Sequence, residues 1–212
     1  MKHYIFLIVL LYTGCGNPEY AAELYNKGQI QYMDKNLAEA GRLFTETLKF
    51  DDEFLNAYLM LAKIHYYNRD YNSAVKYIDS ILERDRDHAG GLYWKARILV
   101  ISGKDDPDEP VRILRSVLEK DSHHIPARML LALVYEKNRK YKEALHEYIT
   151  VLEEEQDLIN ARGNLAVLYR RMGLKERALN EIDRAVKVAT AAGREVKTLN
   201  FIKGEFEKWE EK

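Results

Sequence analysis

Hydrophobic positions recur along this chain as pairs of amphipathic stretches, each pair about 34 residues long and divided by a short polar turn. Within each stretch the apolar residues follow helical spacing, so the pattern predicts two helices per pair. One position in the first helix is always small: Gly28, Ala62, Ala96, Ala132 and Ala166, at steps of 34, 34, 36 and 34 residues. A side chain that stays small at a fixed period indicates a repeated close approach of two helices, and predicts stacked helical hairpins.

The second helix of each pair carries its own small series. It consists of Ala40, Ala74, Ala144 and Ala178, with Pro110 at the place of the middle member. This frame predicts five repeats followed by a last amphipathic helix at 193–212, and the repeats are 21–54, 55–88, 89–124, 125–158 and 159–192. The third repeat has two extra residues within 103–110, where Asp108 is expected to cap a helix with Pro110 in its first turn.

The order of large and small residues within a repeat resembles the tetratricopeptide repeat (TPR) family. The fourth repeat shows it well, with Leu131, Ala132 and Tyr135 in the first helix and Ala144 and Tyr148 in the second. The resemblance implies an all-α fold, a right-handed TPR superhelix (α-solenoid) of five helix-turn-helix repeats closed by a C-terminal capping helix. The proline that usually ends a repeat in this family is absent from all five.

The first residues predict export and anchoring. Lys2 precedes an apolar run at 4–12, too short to span a bilayer, and the small residues Thr13 and Gly14 come before Cys15. This segment resembles a bacterial lipoprotein signal peptide, with Tyr12 where an aliphatic residue is usual. The resemblance implies a leader at 1–14, lipidation of Cys15 (palmitate) and a tether at 15–20. A plain signal peptide with an incidental cysteine is the alternative. Because Gly16 is not aspartate, the resemblance favours the outer membrane, facing the periplasm.

Composition and motifs exclude several function classes. The 33 basic and 34 acidic residues give a net charge of −1, against the basic excess of nucleic-acid binders. A single cysteine rules out an intrachain disulfide. His146 and Glu147 begin a zinc-protease motif, but Thr150 stands where the second histidine is required. The sequence shows no catalytic constellation, and we expect neither an enzyme nor a cofactor or metal site.

Tyrosine is frequent, with 15 residues, and combines apolar area with a polar tip that suits half-buried binding faces. In the TPR family the concave face is formed by the first helix of each pair. Carried over to this chain, the resemblance places the partner-binding groove at Tyr25, Gln29, Tyr32, Met33, Leu59, Lys63, Tyr66, Tyr67, Tyr93 and Arg97. Further along the same face it places Met129, Leu133, Glu136, Lys137, Arg170 and Arg171. Several of these tyrosines are alternatively read as fillers between the repeats.

These features predict a non-catalytic scaffold that binds a protein or peptide in its groove. The resemblance to lipoproteins further implies an adaptor of the bacterial cell envelope that serves a pilus, a secretion pore or a similar assembly. A periplasmic component that binds a ligand or peptide for a transporter is the alternative, and an enzyme is a third reading.

Overall fold

The computed structural model describes residues 17–103, 106–154 and 158–209. In this part the chain forms eleven helices and no strand, so the predicted all-α class is confirmed. The helices are α1 (Pro18–Met33), α2 (Leu37–Phe50), α3 (Leu55–Tyr67), α4 (Tyr71–Arg84), α5 (Ala89–Ser102), α6 (Glu109–Lys120), α7 (Ile125–Lys137), α8 (Tyr141–Glu154), α9 (Ile159–Arg171), α10 (Lys175–Ala191) and α11 (Lys197–Glu207).

The helices lie in pairs along the chain. The first helices of the second to fifth pairs begin at residues 55, 89, 125 and 159, whereas α1 begins at Pro18, three residues before the predicted start of the first repeat. Asn17 explains this earlier start, because its side chain accepts a hydrogen bond from the Tyr20 amide and caps the helix. The predicted leader at 1–14 and Cys15 lie outside the described residues.

Contacts divide the chain into two compact units, residues 1–86 and 87–212. In the first unit α1 packs against α2, α2 against α3 and α3 against α4. In the second unit each helix from α5 to α11 packs against the next, and α5 also contacts α7. Packing between sequence neighbours is how hairpin repeats bury apolar stripes that no single hairpin can cover alone.

The small residues of both series lie buried where two helices approach closely, as their regular spacing predicts. Ala62, Ala96, Ala132 and Ala166 are buried, and so are all four alanines of the second series. At Gly28 the requirement is strictest, because a Cβ atom there would lie 2.6 Å from Cε1 of Phe44. No side chain larger than hydrogen fits at this point without movement of the Phe44 ring.

The turn inside a repeat has one recurring geometry. Its middle residue is left-handed, with φ of 62° at Lys35, 61° at Arg69, 60° at Arg139 and 78° at Gly173. The following amide donates to a carbonyl five residues back, as from Asn36 to Gln31 at 2.9 Å. This is the Schellman arrangement that ends many helices. Glycine is the residue that favours it, yet three of the four turns use lysine or arginine.

The turns between repeats form without proline. The second helices of the first three pairs end at Asp51, Asp85 and Asp121, each in an extended conformation. The side chain of Asp121 accepts a hydrogen bond from the His123 amide at 3.1 Å, and Asp51 makes the equivalent bond with Glu53. At two of these three helix ends, the side chain of the aspartate therefore bonds an amide of its own turn.

At the start of α6, the predicted side-chain cap is not present. Asp108 does stand immediately before α6, with Pro110 in the first turn, but its side chain makes no capping bond. It accepts instead from Nζ of Lys140 at 3.0 Å, so the expected capping role is wrong. His88 and His124 cap α5 and α7, because Nδ1 of each accepts an amide hydrogen bond, at 3.0 Å and 3.1 Å.

Candidate functional site

The first half of the predicted groove lies on α1 and α3 of the first unit. Tyr25 and Gln29 are half-buried there and bond to each other, since Nε2 of Gln29 donates to the Tyr25 hydroxyl at 2.8 Å. The Tyr25 ring also packs on Phe44 and Phe54, with centroids 5.5 and 4.9 Å away. Burial raises the pKa of Tyr25, and the Gln29 hydrogen bond lowers it by less. Tyr25 therefore acts mainly as a filler between helices, the alternative role of these tyrosines.

Four other tyrosines of this unit form one cluster, which we call the tyrosine cluster: Tyr32, Tyr66, Tyr67 and Tyr71. Tyr66 packs edge-on against Tyr67 and Tyr71, with centroids 5.5 and 5.7 Å away. Burial and, second, the interaction with Tyr67 of α3 raise the pKa of Tyr32 of α1. Tyr71 is not among the predicted groove residues, because it begins α4, the second helix of its pair.

Accessible side chains lie in the tyrosine cluster and next to it in sequence. Tyr67 is 53% exposed, and Met33, which follows Tyr32 at the end of α1, is 71% exposed. Leu59 and Lys63 are half-buried on α3, and burial lowers the pKa of Lys63. Nζ of Lys63 lies 3.9 Å from Sδ of Met60. The predicted groove residues of this unit thus divide into packed ones (Tyr25, Gln29) and accessible ones near Met33 and Tyr67.

The two remaining predicted groove residues, Tyr93 and Arg97, lie on α5 in the second unit. They bond to each other, as Nη1 of Arg97 donates to the Tyr93 hydroxyl at 3.1 Å. The guanidinium of Arg97 also lies 4.9 Å from the Trp94 ring, a cation–π distance. The Tyr93 ring contacts Trp94 and the capping His124. The half-buried Arg97 is therefore held by aromatic neighbours within its own unit.

A buried carboxylate lies farther along the predicted face. Glu136, at the end of α7, is only 7% exposed, so it does not form open groove surface as expected. Its Oε1 lies 3.0 Å from Nη1 of Arg171, and its Oε2 accepts from the Tyr148 hydroxyl at 3.2 Å. Burial and the charge of Glu136 raise the pKa of Tyr148, which keeps this hydroxyl protonated as a donor. The network joins α7, α8 and α9.

Two further properties bear on the candidate chemistry. Within the described ranges, no three His, Cys, Asp or Glu side chains lie close enough together to share a metal ion. Over the same ranges, none of the helices combines the length and the apolar character needed to cross a bilayer. Cys15, the predicted lipidation site, lies outside these ranges.

Comparison with protein families and solved structures identifies the fold. Residues 59–122 match the family model described as Tetratricopeptide repeat. No curated protein matches the chain in sequence. Among solved structures, TTC0263, a thermophilic TPR protein of Thermus thermophilus, is similar with a TM-score of 0.72 and 19% identity, over 89% of this chain and 100% of that one.

Two other structures are similar at comparable levels. PilW, a widely conserved type IV pilus biogenesis factor, gives a TM-score of 0.73 at 16% identity, over 89% of this chain and 91% of PilW. YrrB, a TPR protein with an unusual peptide-binding site, gives 0.63 at 19% identity, over 89% of this chain and 94% of YrrB. The predicted all-α TPR solenoid is therefore confirmed as the fold of this chain.

Proposed function

We propose that this protein, with its TPR fold, is a non-catalytic scaffold of the bacterial cell envelope that binds a protein segment on the accessible surface around the tyrosine cluster. The fold supports the general role, because stacked hairpins expose long helix faces on which partners bind. The finer role, an adaptor in a pilus, secretion or similar assembly, rests on the resemblance of the first fifteen residues to a lipoprotein leader. It follows that Cys15 carries the lipid anchor.

The observation that carries the proposal is the exposure of large apolar side chains beside the tyrosine cluster. Met33 and Tyr67 keep more than half of their surface exposed to solvent, whereas many apolar side chains of the same hairpins are buried. Tyrosine contributes a large contact area at low conformational cost and is enriched among residues that dominate binding energy. A partner segment that covers Met33 and Tyr67 would remove this apolar area from water.

Two similar structures agree with the proposal. YrrB has a peptide-binding site, and PilW is a pilus biogenesis factor. Their identities to this chain are 19% and 16%, so they share its fold, and the binding role of this chain has to be tested on its own residues.

Site-specific photo-crosslinking in the native cells tests the binding surface. A benzoylphenylalanine at Tyr67 should yield a discrete protein adduct, because this side chain lies beside the proposed partner. The same probe at Phe201, an even more exposed aromatic on α11, is the matched control and should not yield that adduct. Adding Tyr32→Ala and Met33→Ala should abolish the Tyr67 adduct. An equal adduct from both probe positions, or one that survives these substitutions, would contradict the proposal.

Metabolic labelling with palmitate tests the anchor. The parent chain should incorporate label and sediment with envelope membranes, whereas Cys15→Ala should lose the label, because Cys15 is the only cysteine. Retention of label by Cys15→Ala would refute lipidation at this site. Since the TPR repeats are untouched, failure here would leave the proposed binding surface standing.

A further inference from the structure

Basic side chains gather around a surface depression in the second unit. It is bordered by Arg139 and Lys140 of the α7–α8 turn, Lys142 of α8 and Arg171 of α9, with Tyr141, Glu143 and Met172. We call this the basic depression. Residues 137–142 contain four basic residues and no acidic one, although the whole chain has a net charge of −1. The positive charge is therefore a local feature of this edge of the fold.

Four cations border the depression, and two of them, Arg171 and Lys140, form ion pairs. Arg171 is bonded to the buried Glu136, which Tyr148 holds from the other side. Lys140 is bonded to Asp108 at the start of α6, with 3.0 Å between Nζ and Oδ1. Arg171 remains about half exposed, so part of its guanidinium faces solvent. Binding of a ligand to Arg171 would cost little side-chain entropy, because the buried Glu136 already holds this guanidinium in place.

The other two cations, Arg139 and Lys142, are exposed, and neither forms an ion pair with any described side chain. Arg139 occupies the left-handed position of its turn, with φ of 60°. This backbone conformation is strained for a residue with a Cβ. Arg139 and Lys142 together contribute two positive charges, and Glu143 offsets only one of them, so the potential in the depression is positive.

We propose that the basic depression binds an acidic protein segment. Arginine binds carboxylates through two parallel hydrogen bonds, and the half-buried Tyr141 and Met172 offer apolar contact to the intervening side chains. A membrane surface fits less well. The exposed large apolar residues of this unit, such as Leu133, Ile149 and Phe201, do not border the depression and so do not offer apolar side chains there for insertion into a bilayer. This surface lies on α8 and α9, whereas the tyrosine cluster belongs to α1, α3 and α4.

Binding to a defined probe tests this assignment in the full chain. The probe is a fluorescein-labelled peptide in which glutamate alternates with leucine and serine, and its glutamine counterpart is the neutral control. Fluorescence anisotropy at low ionic strength measures the Kd. Arg139→Gln with Lys142→Gln should weaken binding about tenfold, and charge reversal at both positions should weaken it further. The unfolding temperature should stay at the parental value, since neither side chain has an ionic partner to lose.

A matched variant separates local recognition from general charge. Lys187→Gln with Arg194→Gln removes two exposed cations elsewhere in the same unit and should leave the Kd of the acidic peptide unchanged. Equal weakening by both double variants would overturn the proposal, as would peptide binding unaffected by Arg139→Gln with Lys142→Gln. Vesicles that contain phosphatidylglycerol form a further arm. If the same double variant lost vesicle binding but kept peptide binding, the depression would be a lipid site and the proposal would be wrong.

Discussion

At the residue scale, Gly28 shows how strictly one position is set by its neighbour. Alanine is a better helix former than glycine by about 1 kcal/mol, so propensity alone favours Gly28→Ala. The structure opposes it, because the new Cβ would lie 2.6 Å from Cε1 and 2.9 Å from Cδ1 of Phe44. The ring is completely buried and contacts Tyr25, so it has little room to shift. We expect Gly28→Ala to lower the unfolding free energy by about 1–3 kcal/mol, measured by urea denaturation.

Gly41 of α2 provides the control for that prediction. The atom closest to a Cβ added at Gly41 would be Cδ1 of Ile64, at the ordinary contact distance of 3.8 Å. Gly41→Ala should therefore stabilise the protein by about 0.5–1 kcal/mol through helix propensity. If both substitutions changed stability by the same amount and sign, the close approach at Gly28 would not be what keeps that residue small.

At the element scale, the two helices of a hairpin contact each other through side chains at one pair of positions, which lie 19 residues apart in sequence. The pair is Tyr58 and Tyr77 in the second repeat, with ring centroids 6.4 Å apart. In the fourth repeat it is Arg128 and Glu147, and in the fifth Arg162 and Glu181, with N–O distances of 3.0 and 2.9 Å. These charged groups are only 12–14% exposed. The same hairpin geometry therefore accepts either an aromatic pair or a largely buried ion pair.

A double-mutant cycle measures the ion pair of the fourth repeat. Glu147→Leu should destabilise the protein by about 1–3 kcal/mol, because the largely buried Arg128 guanidinium loses its ion pair with Glu147. The double variant Arg128→Leu with Glu147→Leu should recover part of that loss, because it removes both charges and leaves an apolar pair in their place. Urea denaturation of the four proteins gives the coupling energy. Additive effects of the two substitutions would show that the pair contributes no coupling between α7 and α8.

At the scale of the whole molecule, the second unit ends in a helix that shields the last hairpin. Phe206 of α11 is 1% exposed, and the guanidinium of Arg170 lies 5.2 Å from its ring centroid. Phe206→Ala should cost about 3–5 kcal/mol through the cavity it leaves. Because repeat hairpins are stabilised by their nearest neighbours, the loss of amide hydrogen-exchange protection should concentrate in α9, α10 and α11. Protection in α5 and α6 should change much less.

Phe201 of the same helix is the control, since it is 70% exposed and has little packing to lose. Phe201→Ala should leave the exchange protection of α9 and α10 at the parental level. If Phe206→Ala instead reduced protection equally across α5 to α11, the second unit would unfold as one cooperative body, and the nearest-neighbour description would be wrong.

Much of the fold follows from the sequence, because the features that set it are local and periodic. The spacing of Gly28, Ala62, Ala96, Ala132 and Ala166 marks the helix contacts, and apolar spacing marks the helix faces. The ends of the second helices are harder to predict, because α2, α4 and α6 end at Asp51, Asp85 and Asp121 without the proline that is usual in the family. Asp108 illustrates the limit, because its bond to Lys140 joins residues 32 positions apart and no local pattern encodes it.

The candidate surface could be predicted only in part from the sequence, because the residues of one helix face do not show which side chains of other helices cover them. Sequence position alone placed Tyr25, Tyr67 and Glu136 on one face. The structure separates them, since Phe44 and Phe54 cover Tyr25, Arg171 and Tyr148 enclose Glu136, and Tyr67 stays open. The sequence by itself determined the hairpin repeat and its buried small positions, which depend on spacing within one helix pair. Only the tertiary structure decided which tyrosines and charges remain exposed, because exposure depends on side chains that reach across from other helices.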